Sequence, residues 1–150
     1  MQGLITALAL LCAGVNLLAG GLGAWLWWQV RTSAAFWPLL RGAQAVAVLL
    51  AVAGAVLGAT GADPDVGLFF LYALLPAAVS FIAEQLRLAA AQTVLDARGL
   101  EDARAVDGLA EREQRSVVLA IVRREMGVMA TAALVISFLA LRAAGTTAGL

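Results

Sequence analysis

The chain has 150 residues, of which 63% are hydrophobic and 13% are charged, and its ten arginines balance ten carboxylates. Soluble domains are typically about 45–50% apolar and about 25% charged, and so small a fold could not hide this much apolar surface. The composition therefore argues against a soluble enzyme, a disordered segment and a protein that binds nucleic acid, and it predicts an integral membrane protein.

Four stretches of the chain are apolar enough to cross a bilayer as helices. A bilayer core of about 30 Å needs roughly 20 helical residues. Helices are the expected form, because lipid leaves open backbone groups without hydrogen-bond partners. The predicted spans cover residues 3–28, 36–60, 66–90 and 124–143. The sequence therefore predicts a single all-α domain, a four-helix bundle in the membrane.

The first apolar run is predicted to be a span rather than a signal peptide. It has no basic residues before it, and it ends in Trp25, Trp27 and Trp28. A signal peptide would have a basic start and small residues at its cleavage site. We therefore count this run among the four spans.

The placement of the arginines predicts how the spans are oriented. With four spans, nine of the ten arginines fall on one side of the membrane and only Arg142 lies near the other. The positive-inside rule places the arginine-rich side in the cytoplasm. We expect a multi-pass protein of the plasma (cytoplasmic) membrane with both termini outside, and with Asp63 and Asp65 in an external turn.

A charge-rich segment, residues 91–123, separates the third and fourth spans. The sequence predicts a cytoplasmic hairpin of two helical arms, with Gly99 ending the first arm and Asp107 capping the second. Apolar residues recur at helical spacing in both arms: Leu88, Ala91 and Leu95 in the first, and Val117, Val118, Ile121 and Val122 in the second. Two interpretations remain open: the arms pack on each other, or residues 96–116 form a docking site for a cytoplasmic partner.

Three polar residues are predicted to lie at one depth inside the bilayer. A rise of about 1.5 Å per residue places Asn16, Gln44 and Ser80 roughly 18–21 Å from the outer edge. Polar side chains at one level can hydrogen-bond between helices. Because polar groups in a bilayer are costly, a polar lining for a permeant substrate is the alternative interpretation.

A second polar group, formed by Arg41, Glu84 and Arg87, is predicted near the cytoplasmic edge. Arg41 and Glu84 lie on different helices within about one turn in height, so an ion pair between them would neutralise both charges. Glu84 and Arg87 are three residues apart, and a local pair therefore competes. The alternative is that Glu84 carries a proton or binds a cationic substrate.

Glycines predict close contacts between helices. Gly54 and Gly58 form a GxxxG motif in the second span, and Gly20 and Gly23 share one face of the first. Small residues let helix backbones approach closely. These glycines predict packing within the chain or association of several copies.

Histidine, a cysteine pair and the common catalytic and metal-binding motifs are missing from the sequence. The chain has no histidine and one cysteine, Cys12, which excludes an imidazole ligand and a CxxC pair. No phosphate-binding loop, nucleophile elbow or zinc motif occurs. We therefore expect no metal, no cofactor and no enzymatic activity.

The expected function is an accessory, scaffolding or regulatory role. The protein would act by packing with itself or with another membrane protein, and through its cytoplasmic hairpin. The alternative is an oligomeric small transporter or channel that uses Glu84 and Arg41 together with the mid-membrane Asn16 and Gln44. A third hypothesis is a lipid-modifying enzyme with carboxylates at the membrane interface.

Overall fold

The computed structural model describes residues 2–60 and 67–148, which form four long α-helices and a short 3-10 helix. The α-helices are α1 (Gln2–Trp28), α2 (Phe36–Ala59), α3 (Gly67–Ala97) and α4 (Glu111–Ala148), and the 3-10 helix covers Ala103–Gly108. All four α-helices are long and apolar enough to cross a membrane. This confirms the all-α prediction with four candidate spans, whereas the predicted turn at Asp63 and Asp65 lies outside the described residues.

The four helices form a closed ring. Each helix packs against its neighbours in chain order, and α4 packs against α1. The end of α1 and the start of α2 therefore lie at the same end of the bundle as the end of α3 and the start of α4. We call this the arginine-rich end, because Arg31, Arg41, Arg87, Arg123 and Arg124 lie on these parts of the chain.

The outer surface of the bundle is as apolar as its interior. Leu18, Phe81 and Phe138 are exposed although they are large hydrophobic residues, and they lie on three different helices. Alanines fill much of the interior, among them Ala9, Ala47, Ala73 and Ala140, which have no exposed surface. Because lipid tails are as apolar as leucine, close packing rather than burial from water has to hold such helices together.

The predicted packing glycines all lie at contacts between helices of the same chain. A Cβ built on each glycine would come within 3.1 Å of a neighbouring helix: Gly20 faces Leu134, Gly23 faces Phe36 and Ala130, Gly54 faces Ala73, and Gly58 faces Phe70. The GxxxG motif of α2 therefore packs against α3. Association of several copies through these glycines stays a prediction.

Helices α3 and α4 continue beyond their apolar spans into the charged tip, which we define as residues 91–123. Gly99 follows α3 with a φ of +68°, and the Leu100 N–H donates to the Leu95 carbonyl oxygen, as a glycine C-cap predicts. The expected cap at Asp107 is wrong. The Asp102 carboxylate instead accepts hydrogen bonds from the backbone N–H groups of Arg104 and Ala105, and it caps a 3-10 helix that includes Asp107. Helix α4 therefore begins only at Glu111.

Only part of each apolar stripe lies between the two arms of the tip. Leu95, Val106 and Val117 are buried together, and Leu100, Leu109 and Ile121 pack around them. Val118 is 50% exposed and Leu88 is 60% exposed. Successive residues of a helix point about 100° apart, so Val117 and Val118 cannot both face the same arm.

Candidate functional site

A polar cluster at the arginine-rich end connects α2 with α3 through Glu84. One carboxylate oxygen, Oε1, accepts hydrogen bonds from Arg41 Nη1 at 2.6 Å and from Gln44 Nε2 at 2.9 Å. The other oxygen, Oε2, accepts a hydrogen bond from Arg87 Nε at 3.1 Å. Arg41 Nη1 also donates to Gln44 Oε1 at 2.9 Å. The expected Arg41–Glu84 pair and the local Glu84–Arg87 pair are therefore present at the same time.

Helix α4 joins the cluster through Glu125, which the sequence analysis did not single out. Arg87 Nη1 lies 4.0 Å from Glu125 Oε2, and the Arg87 guanidinium carbon lies 5.5 Å from the centre of the Trp37 ring. Arg87 thus contacts α2, its own helix and α4. The available signal was that Glu125 borders the apolar run of α4 just as Glu84 borders that of α3.

The cluster is electrically neutral and only partly open to its surroundings. The side chains of Glu84 and Arg87 are each 24% exposed, that of Glu125 is 17% exposed, and that of Arg41 is 52% exposed. Two guanidinium groups balance two carboxylates. Because both oxygens of Glu84 already accept hydrogen bonds, a cationic substrate would have to compete with two guanidinium groups for this carboxylate.

Asn16 and Ser80 bond to backbone carbonyls, and the structure does not join them to Gln44. The fully buried Asn16 donates from Nδ2 to the Cys12 carbonyl oxygen at 2.9 Å and to the Ala43 carbonyl oxygen of α2 at 3.3 Å. Ser80 Oγ donates to the carbonyl oxygen four residues earlier on α3, at 2.9 Å. Gln44 instead bonds to Glu84, since a charged acceptor forms the stronger hydrogen bond.

Buried polar contacts also connect α1 with α4. Ser137 Oγ donates to the Ala13 carbonyl oxygen at 2.9 Å. A single serine within an apolar run gives no sequence pattern, so this contact could not be predicted from the sequence. Asn16 Oδ1 is buried without a hydrogen-bond partner among the described residues.

Aromatic rings hold arginines at both ends of the bundle. The Arg123 guanidinium carbon lies 5.3 Å from the centre of the Trp27 ring at the arginine-rich end. At the opposite end the Arg142 guanidinium carbon lies 5.8 Å from the centre of the Tyr72 ring. Such cation–π contacts are worth about 0.5–2 kcal/mol, depending on how dry the site is. They are suited to the two interfaces of a membrane, where Trp and Tyr are enriched.

The polar cluster has the composition of a structural ion-pair network. Within residues 2–60 and 67–148, no three His, Cys, Asp or Glu side chains are grouped so that they could hold a metal ion. The contacts of the cluster are ion pairs, hydrogen bonds and ring contacts between protein side chains. In comparisons with known proteins, the chain matches no family model, no curated protein and no solved structure.

Proposed function

We propose that the protein is a non-enzymatic accessory or scaffolding protein of the plasma membrane, which presents the charged tip to a cytoplasmic partner. The supporting observation is a contrast between the bundle and the tip. The polar cluster of the bundle pairs its charges with one another. In the described part of the chain, no salt bridge involves a residue of the tip.

The surface of the tip combines apolar side chains with charged side chains of both signs, none of which forms a salt bridge within the described residues. Its exposed charged residues are Asp96, Arg98, Glu101, Asp102, Arg104, Asp107, Glu111, Arg112, Glu113, Arg115 and Arg123. Val118 and Leu119 are exposed on the same helix. They precede Glu125 by seven and six residues, which is roughly 10 Å along the helix axis. With the polar cluster at the membrane edge, these two side chains lie outside the hydrocarbon and are free for a protein contact.

The proposed orientation follows from the charges at the two ends of the bundle. Five arginines and two glutamates border the spans at the arginine-rich end, whereas Arg142 lies near the other end. The positive-inside rule then assigns the arginine-rich end, and with it the tip, to the cytoplasm. Both termini lie on the outer side in this arrangement.

Transport through the bundle receives less support than scaffolding. The unpartnered Asn16 Oδ1 favours a polar path. However, the fully buried Phe36, Leu40 and Met129 fill the interior between Asn16 and the arginine-rich end. Both oxygens of Glu84 are occupied as well. The interior side chains therefore separate Asn16 from the arginine-rich end, and Glu84 at the membrane edge is engaged by three donors.

Replacing the exposed Val118 and Leu119 with serine tests the docking role of the tip. We expect recovery of a cross-linked cytoplasmic partner to fall by about tenfold in the double variant, since two apolar contacts of the interface would disappear. The conservative pair Val118→Leu with Leu119→Val should retain it. The measurement is quantitative mass spectrometry after cross-linking in cells.

A larger change checks the same proposal. Replacing residues 96–116 with a Gly/Ser linker of equal length should abolish recovery of that partner while the bundle keeps its thermal midpoint. If every captured protein is retained after this replacement, residues 96–116 are not a docking surface.

A further inference from the structure

Two apolar grooves flank α4 just below the arginine-rich end. The groove between α1 and α4 has a volume of about 370 Å³, and the groove between α3 and α4 has a volume of about 450 Å³. Gly127, Val128 and Thr131 of α4 line both grooves. Of these three residues, Gly127 contributes no side chain and Thr131 contributes a short one.

The α1/α4 groove has the depth of one bilayer leaflet. Its lining extends along α4 from Arg124 to Leu134, which lie ten residues apart. At about 1.5 Å per residue this is about 15 Å, which is half of a hydrocarbon core of about 30 Å. The groove therefore begins at a charged group of the interface and ends near the middle of the bilayer.

The mouth of this groove carries positive charge without a matching carboxylate. The Arg124 side chain is exposed and has no hydrogen bond or ion pair in the described part of the chain. Arg31 and Arg123 line a pocket on the other side of Trp27. Glu125 is next in sequence, but its carboxylate points to Arg87 on α3. Arg124 thus places a guanidinium group without a salt bridge at the mouth, and the guanidinium groups of Arg31 and Arg123 line the neighbouring pocket.

We propose that these features form a binding site for a glycerophospholipid whose headgroup carries a net negative charge. Arg124 binds the phosphate, because guanidinium groups match phosphate oxygens in geometry and charge. The two acyl chains lie in the two grooves, on either side of Gly127 and Thr131. Basic sites between membrane helices are typical places for anionic headgroups.

The surroundings of the site distinguish this ligand from two others. A free phosphate ion would make no use of apolar grooves that continue for a leaflet's depth. A zwitterionic phospholipid carries an ammonium group, and the carboxylate closest in sequence, Glu125, is already engaged with Arg87. An anionic phospholipid accounts for both features, because its acyl chains fill the grooves and its phosphate binds Arg124.

The test of the headgroup contact is native mass spectrometry of the purified protein in detergent. The protein is titrated with phosphatidylglycerol or with phosphatidylcholine that has the same acyl chains. We expect several-fold higher retention of phosphatidylglycerol, and a drop of about tenfold in Arg124→Gln from the loss of one charge-assisted contact. The control Arg112→Gln removes an exposed arginine from the tip portion of α4 and should leave retention unchanged.

The test of the grooves is Thr131→Trp. Thr131 is exposed, so the larger ring fills the grooves without disturbing the core, and retention of both lipids should fall. Thr93→Trp, at an exposed threonine of the tip, is the control. The proposal is overturned if phosphatidylcholine is retained equally, if Arg124→Gln behaves as Arg112→Gln does, or if inorganic phosphate displaces the lipid. It is also overturned if Thr131→Trp converts a dimer of the protein to monomers without changing lipid retention, because the grooves would then be an interface between two copies of the chain.

Discussion

Replacing Glu84 with alanine is expected to lower the free energy of unfolding by about 2–3 kcal/mol. The carboxylate accepts hydrogen bonds from Arg41, Gln44 and Arg87, so its removal leaves Arg41 without a carboxylate partner and the cluster with one net positive charge. Arg41 is half exposed and can turn to water, which keeps the loss below that of a fully buried pair. Arg87 would retain only the longer contact with Glu125.

The matched control for this prediction is Glu113→Ala. Glu113 is exposed and forms no salt bridge within the described residues, so the same loss of charge should change the free energy by no more than about 0.5 kcal/mol. Unfolding in mixed detergent micelles measures both variants. In addition, Arg41→Ala and Glu84→Ala combined should cost less than the sum of the single changes, because the two residues share one contact. Equal stability of Glu84→Ala and Glu113→Ala would show that the cluster does not hold the helices together.

Substitution of Gly23 by leucine is expected to have the largest effect on helix packing. A Cβ at this position would lie 2.5 Å from Cε2 of Phe36 on α2 and 2.8 Å from Cβ of Ala130 on α4. Phe36 is fully buried and packs edge-on against the Trp37 ring, so it has no space into which to move. We expect a loss of about 3 kcal/mol, at the upper end of what overpacking normally costs.

Gly21→Leu provides a control within the same helix. A Cβ at Gly21 meets nothing within 4 Å, and the position is exposed, so leucine there should face lipid. The two variants have the same composition and differ only in which side of α1 carries the added side chain. Thermal unfolding and resistance to protease should separate them clearly. Indistinguishable behaviour would mean that α1 does not pack on α2 and α4 as described.

The length and number of the helices could be predicted because the bilayer imposes them. Runs without charge have to be long enough to cross, and their ends have to carry the charges that remain in water. The same reasoning predicted the ion pairs among Arg41, Glu84 and Arg87, since arginines and carboxylates at one height can neutralise each other. The four glycines were found because close helix contacts require small residues.

Side-chain partners were harder to predict because they depend on how each helix is rotated about its axis. Depth alone grouped Gln44 with Asn16 and Ser80, but the orientation of α2 turns Gln44 toward the stronger acceptor on Glu84. Rotation likewise decides that Val117 is buried and Val118 is exposed. Glu125 and Ser137 act as single residues with no periodic pattern, so only the folded arrangement identifies their partners.

The four-span topology is tested most directly by labelling single cysteines in cells with a membrane-impermeant maleimide. Cys12 is buried within α1, and Cys12→Ala provides the cysteine-free background. We predict that Ser116→Cys in the tip reacts only after the cells are opened, whereas a cysteine appended to either end of the chain reacts in intact cells. Labelling of the tip and of both ends from the same side, or labelling of the tip alone in intact cells, would contradict the proposed arrangement.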